Sequence, residues 1–238
     1  MNELITVFAV SLSAGIFSAA VGLGGGLLML GLIPMFVPVS AVIPIQGVVN
    51  LTSNFSRFLF GIKHAILKWL PAYFIGGLVG TALGYPLIGY LPEKLLSIIL
   101  AIFILLSVWT GILKKIGALI NNNYIVSAFQ GFISLFVGSV ATLSIPLLME
   151  RKLNTKQVIV TSAMQMSVLN VFRVAAFFIA GFQFSAYTNI LIPLILGSVV
   201  GNYIGGYLQK MIPEKIGATA LKLIITVLAM LLLYKAVF

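Results

Sequence analysis

Asparagine and arginine occur three residues apart at two places inside apolar stretches: Asn54 and Arg57 within residues 42–62, Asn170 and Arg173 within residues 157–180. That spacing puts an amide and a guanidinium on one helix face. Gln46 and Asn50 extend the first face at intervals of four, with Thr52 and Ser53 adding hydroxyls. Thr161, Ser162, Gln165 and Ser167 accompany the second. Such faces must look into protein or water, not lipid. Helix-to-helix hydrogen bonds worth about 0.6 kcal/mol each would explain the single Ser and Thr residues. Headgroup snorkelling would explain either arginine alone. A pair repeated at corresponding places points instead to a substrate path, with Asn50, Asn54, Gln165 and Asn170 orienting a ligand and Arg57 and Arg173 supplying charge.

The ligand's sign follows from what is missing. The chain has no Asp, and its four acidic residues, Glu3, Glu93, Glu150 and Glu214, stand at the ends of apolar stretches. Cation sites, proton relays and metal catalysis in membranes draw on buried carboxylates or histidine. There is no Cys, and the one His, His64, falls in a loop, so no metal, cofactor or catalytic residue is expected. Amides, hydroxyls, guanidinium groups and bare backbone N–H are donors, and donors suit an anion.

The first backbone site of this kind is Gly22-Leu23-Gly24-Gly25-Gly26, inside the apolar run 4–37. Each glycine costs a helix about 1 kcal/mol against Ala, so the run predicts a break at membrane depth. A break there is tolerated only where it is packed in protein or lines a wet cavity. The N–H groups opening the second arm, around Gly25 to Leu28, would then face an anion. A close-packing patch between helices is the alternative, although four glycines exceed what a Gly-x-x-x-Gly contact needs. In the second half Ser139, Thr142 and Ser144 put hydroxyls where the first half has glycines.

These residues need an all-helical membrane frame. Of 238 residues 61% are hydrophobic and 8% charged, against about 25% charged in soluble domains. The net charge of +10 is spread over short loops, where topology explains it better than nucleic acid does. Met1-Asn2-Glu3 lacks a basic signal-peptide start, so the first stretch is expected to be retained. Eight apolar segments follow one another, near 4–37, 42–62, 69–90, 95–113, 124–148, 157–180, 187–209 and 216–237.

The halves 1–120 and 121–238 repeat each other. At an offset of 116, Gly15, Ser18, Gly22 and Asn54-x-x-Arg57 meet Gly131, Ser134, Gly138 and Asn170-x-x-Arg173. At an offset of 121, Gly76-x3-Gly80-x3-Gly84 meets Gly197-x3-Gly201-x3-Gly205, and Pro92-Glu93-Lys94 meets Pro213-Glu214-Lys215. The glycine ridges read as packing seams, with Asn202 as an interhelical hydrogen bond. Each Pro-Glu-Lys reads as a helix start. If all eight segments span, the loop basic residues divide five against six and give no orientation; if segments one and five fold back, they divide nine against two. The positive-inside bias therefore predicts a re-entrant segment plus three spans in each half. The repeats are then inverted and both termini lie outside. Lys222, whose repeat mate is Ala101, either snorkels or adds interior charge.

The run Gly15-Ile16-Phe17-Ser18-Ala19-Ala20-Val21-Gly22-Leu23-Gly24-Gly25-Gly26, the duplication and the length resemble the TauE/SafE family of sulfite-exporter-like membrane proteins. The resemblance implies transport of sulfur-containing or related organic anions across the prokaryotic plasma membrane. It carries over Gly22, Gly24, Gly25 and Gly26; the other site residues are read from this chain alone. The second motif departs from the family's glycine-rich pattern: it reads Gly138-Ser139-Val140-Ala141-Thr142, with Pro146 following. The expectation is thus a secondary transporter of a small anion working by alternating access, with an anion channel, and then a membrane enzyme, as the alternatives. Its partners are the anion and the bilayer, with proton coupling and oligomeric state left open.

Overall fold

The structure, a computed structural model, describes all residues except 1, 22–24, 91, 112–114, 116–119, 121, 139, 152, 209–213 and 238. Among the described residues there is no strand, and the chain is a bundle of helices joined by short turns. In the first half these are α1 (Asn2–Val21), α2 (Gly25–Leu32), α3 (Val39–Gly61), α4 (Leu70–Gly84) and α5 (Glu93–Trp109). In the second they are α6 (Asn123–Val137), α7 (Ala141–Glu150), α8 (Thr155–Ile179), α9 (Thr188–Leu208) and α10 (Glu214–Val237).

The boundaries follow local chemistry. Asn122 caps α6 by accepting from the Tyr124 N–H at 2.9 Å. Asn154 and Gln157 form a reciprocal capping box at the start of α8, which satisfies two otherwise orphaned donors. Pro92 is the N-cap of α5 and Glu93 its first residue, one place earlier than a proline in the first turn. The matching Pro213 lies outside the described residues, and α10 opens on Glu214.

Among the described residues three stretches are long and apolar enough to cross a membrane: Leu67–Leu87, Thr155–Ile179 and Phe184–Leu208. α3 carries the Gln46–Arg57 polar face, which lowers its hydropathy. α2 and α7 have 8 and 10 residues, or roughly 12 and 15 Å at 1.5 Å per residue, half a bilayer core or less. α1 has 20 residues, so the first segment divides unequally.

Helix directions are read from close approaches. A Cβ on Gly197, Gly201 or Gly205 would lie within 3 Å of Phe8, Leu12 or Ile16 in turn, so α1 and α9 run parallel. Gly76, Gly80 and Gly84 meet Tyr124, Ala128 and Phe132–Leu135, so α4 and α6 run parallel too. α3 and α8 run antiparallel: Gly47 lies against Arg173 and Gly61 against Val160. α5 packs on α10, where the Trp109 indole N–H donates to Thr226 at 2.9 Å. The halves therefore interlock, and one apolar core runs from Val7 to Leu232.

Two ends of the bundle can be told apart. At the first, Trp69 is flanked by Arg151, 4.4 Å from its ring, and by Lys68 at 5.6 Å. The Ile66 N–H donates to Thr161 of α8 at 3.1 Å nearby. α6 starts at this end, where Ser127 donates to the Ala72 carbonyl at 2.9 Å. α7 finishes here at Arg151, so α6 and α7 leave one end and return to it. At the opposite end Ser40, Gly89 and Gly181 line one cleft. Lys222 is exposed, its ammonium 5.7 Å from the Trp109 ring. It therefore sits on the bundle surface.

Candidate functional site

The site is built where the ends of two broken helices approach each other across α3 and α8. α6 stops at Gly138, whose φ of 74° and ψ of −93° belong to a region that only glycine occupies cheaply. Gln130, one face of α6, donates through Nε2 to the Val140 carbonyl at 2.7 Å and ties the turn to its own helix. Gln46 does the corresponding work from α3: its Nε2 donates to the Gly26 carbonyl of α2 at 2.7 Å. A Cβ placed on Gly138 would fall 2.1 Å from Gln46 Oε1. Gln46 thus stands between the start of α2 and the end of α6, with no exposed surface.

Arg173 completes the cluster and is only 1% exposed. One terminal nitrogen donates to the carbonyls of Ser134, at 3.4 Å, and Gly138. The other donates to Asn170 Oδ1 one turn back on α8. These partners are neutral: among the described residues the guanidinium faces the negative end of the α6 dipole and no carboxylate. A cation there offsets the partial charge of the last α6 carbonyls. What remains electrically is the positive character of the first turns of α2 and α7, which open nearby. Gly47 makes room for the arginine: a Cβ on it would lie 3.1 Å from Arg173 Nε.

Hydrogen-bonding capacity is left over. Gln46 Oε1, Gln130 Oε1, Arg173 Nε and both amide ends of Gln165 are buried and have no partner among the described residues. Buried polar atoms are nearly always satisfied, so these atoms are where water or a ligand group can be held.

The remaining expected residues fall into several places. Gly22 and Gly24 lie outside the described residues, as does Ser139. Gly25 opens α2 and Gly26 follows it. Asn50 is buried one turn beyond Gln46, and Asn54 is half-buried a further turn along. Arg57 is half-buried and is not part of the cluster: it donates to Asn202 Oδ1 of α9 at 2.9 Å, while Asn202 Nδ2 donates to Ser53 at 2.6 Å. Asn202 thus forms the interhelical hydrogen bond expected of it. From Gln46 to Arg57 is about 16 Å along α3, so the two arginines occupy different depths. Ser144 is buried, and its hydroxyl turns back to the Ala141 carbonyl at 3.3 Å next to buried Tyr73 of α4. Thr142 lies in the first turn of α7, its side chain outside the described set. Gln165 is fully buried on α8.

Gln46 and Gln130 were not expected to bind: Gln46 was read only as an extension of the polar face of its segment, and Gln130 is a lone amide in an apolar run, which sequence alone does not separate from helix glue. Among the described residues no group of three or more His, Cys, Asp or Glu could hold a metal ion.

The chain matches no curated protein and no solved structure. The family described as Sulfite exporter TauE/SafE matches residues 7–235, nearly the whole length, and so takes in both broken segments and both Asn-x-x-Arg helices. With that match and a bundle of apolar helices around a carboxylate-free polar cluster, the chain belongs to the TauE/SafE sulfite exporter family of membrane transporters.

Proposed function

We propose that this protein is a secondary transporter of a small anion, a sulfur-containing oxyanion or an organosulfonate, working by alternating access in the prokaryotic plasma membrane. The observation that carries the reading is Arg173, a buried guanidinium whose partners among the described residues are all neutral, near the first turns of two broken helices. An anion is the ligand that such a place stabilises. Gly25 and Gly26 with the α7 first turn supply backbone donors, and Thr142 and Ser144 hydroxyls. Asn50, Asn170 and Gln165 supply amides. Arg57 and Asn54 serve the same path nearer the Trp69 end. Gly22 and Gly24 belong to the site through the family motif.

The mechanism uses two inverted repeats, residues 1–120 and 121–238, each a folded-back segment plus three spans. The antiparallel course of α3 and α8, with parallel α1–α9 and α4–α6 pairs, supports a two-fold axis in the membrane plane. So does the shared position of Lys68 and Arg151 on Trp69, since eight plain spans would put them on opposite sides. Rocking one set of helices against the other would open the tips to each side in turn.

The test is flux in proteoliposomes. Wild-type protein should show saturable uptake of sulfite or a small sulfonate and counterflow driven by unlabelled anion. Arg173→Gln together with Arg57→Gln should reduce it by at least tenfold, with the melting temperature reporting folding. Unsaturated, voltage-driven current would replace the carrier with a channel. Unchanged flux in the double variant would reject the site.

A further inference from the structure

A cleft of about 280 Å³ opens between α3, α5, α6, α8 and the turn that follows α4, at the end where Gly89 and Gly181 turn. Its walls include Leu87, Leu96, Phe136, Phe177 and Phe182, with Ser40 as its one polar side chain. Its floor comes close to the buried arginine on three helices at once. Ile43 lines it, one turn before Gly47, which lies beside Arg173 Nε. Phe177 lines it, one turn beyond Arg173 on α8. Leu135 lines it next to Ser134, whose carbonyl accepts from Arg173. One turn is about 5.4 Å, so Ile43 and Phe177 each stand one turn, and Leu135 one residue, from a residue that touches or is the arginine. Phe182 is held firmly for a loop residue: it stacks on Tyr187 at 5.4 Å and meets Phe184 edge-on at 4.8 Å.

We infer that this cleft is a second part of the substrate site, a vestibule for the apolar body of an organic anion whose acidic head rests at Arg173. The inference rests on the anion-transport reading and adds to it a choice among anions. The occupant is set by charge and surface together. Beneath the floor, one turn away along α8, lies a cation whose partners among the described residues are neutral and whose Nε donor is unused. The walls carry hydrocarbon, against which a fully hydrated inorganic ion gains nothing and an alkyl or aryl group gains about 25 cal/mol per Å² buried. Phe136, Phe177 and Phe182 are therefore specificity-determining residues.

The test is equilibrium binding to the purified full-length protein in nanodiscs. The probes are sulfite and methane-, propane- and hexanesulfonate, with hexyltrimethylammonium as the cationic control. Affinity should rise by roughly fourfold for each methylene that enters the cleft, and the cation should not bind. Phe182→Ser and Leu87→Asn, on two different elements, should each cut the hexane-to-methanesulfonate affinity ratio on the order of tenfold. Arg173→Gln should weaken every sulfonate. A chain-length series that is flat in wild type, while short anions still bind and depend on Arg173, overturns the vestibule and leaves the anion site standing. Chain-length dependence that survives Arg173→Gln undiminished also overturns it, because the cleft would then be an apolar site unconnected to the anion. If no sulfonate or sulfite binds at any length, the vestibule and the transport reading fall together.

Discussion

At the scale of single residues, the side chain that joins the halves of the site is Gln46. It holds the Gly26 carbonyl and stands against Gly138, the residue whose carbonyl Arg173 grips. Removing its amide leaves a buried carbonyl unpaired, at a cost of about 1–3 kcal/mol, and frees the start of α2 from α3. Gln46→Leu should therefore lower the melting temperature by several degrees and reduce anion flux by more than tenfold. Gln46→Glu, which restores shape but adds negative charge beside the anion, should keep more stability than Leu while losing flux. Equal flux in wild type and both variants would show that Gln46 is helix glue. Gly138 offers a second residue-scale test. Alanine there must adopt a positive φ, costing about 1–3 kcal/mol, and also displace Gln46. Gly138→Ala should be clearly more destabilising than Ala at exposed Gly206, around which the space is open; similar melting curves would contradict it.

At the scale of elements, the glycine ridges decide how closely the halves interlock. A Cβ on Gly80 would stand 1.8 Å from the Ala128 carbonyl oxygen, and one on Gly201 2.5 Å from that of Leu12. Both neighbours are backbone, so the helices themselves would have to part, and overpacking of this kind costs about 1–3 kcal/mol or more. Gly80→Leu and Gly201→Leu should each lower thermal stability and yield in the membrane, with little effect from Leu at Gly206. Retained stability at either ridge would mean that those helices are not in contact. The exposed faces of the same helices carry Phe74, Ile75, Leu78 and Leu83 on α4 and Ile192, Leu196 and Val200 on α9. One side of each helix is thus shaped for close packing and the other for hydrocarbon.

At the scale of the molecule, the prediction concerns which surface each end reaches. The chain has no cysteine, so single cysteines can be placed and probed without background. Cysteine near residues 89 and 181 should react with an impermeant thiol reagent added outside intact cells. Cysteine near residues 64 and 153 should react only after permeabilisation. Labelling of residues 64 and 181 from the same side would refute the inverted arrangement, because the structure puts those turns at opposite ends.

Much of this was legible before any coordinates. The helical membrane class and the carboxylate-poor interior come from composition, because a bilayer penalises every polar group it cannot see satisfied. The breaks could be anticipated, since glycine runs and hydroxyl clusters interrupt otherwise uniform hydrocarbon. The Arg57 and Arg173 faces could be found, since period and spacing are local properties of one helix. What a helix touches is not local. Only the tertiary structure gave the two arginines different partners, Asn202 for one and the α6 carbonyls for the other. It alone set Gln46 between two turns more than a hundred residues apart, sent Lys222 to the surface, and opened an apolar cleft one turn from the buried charge. The physical reason is that equivalent sequences in the two halves meet non-equivalent neighbours once they interlock, and hydrogen-bond partners, cavities and burial are properties of the pair of surfaces rather than of either strand of sequence.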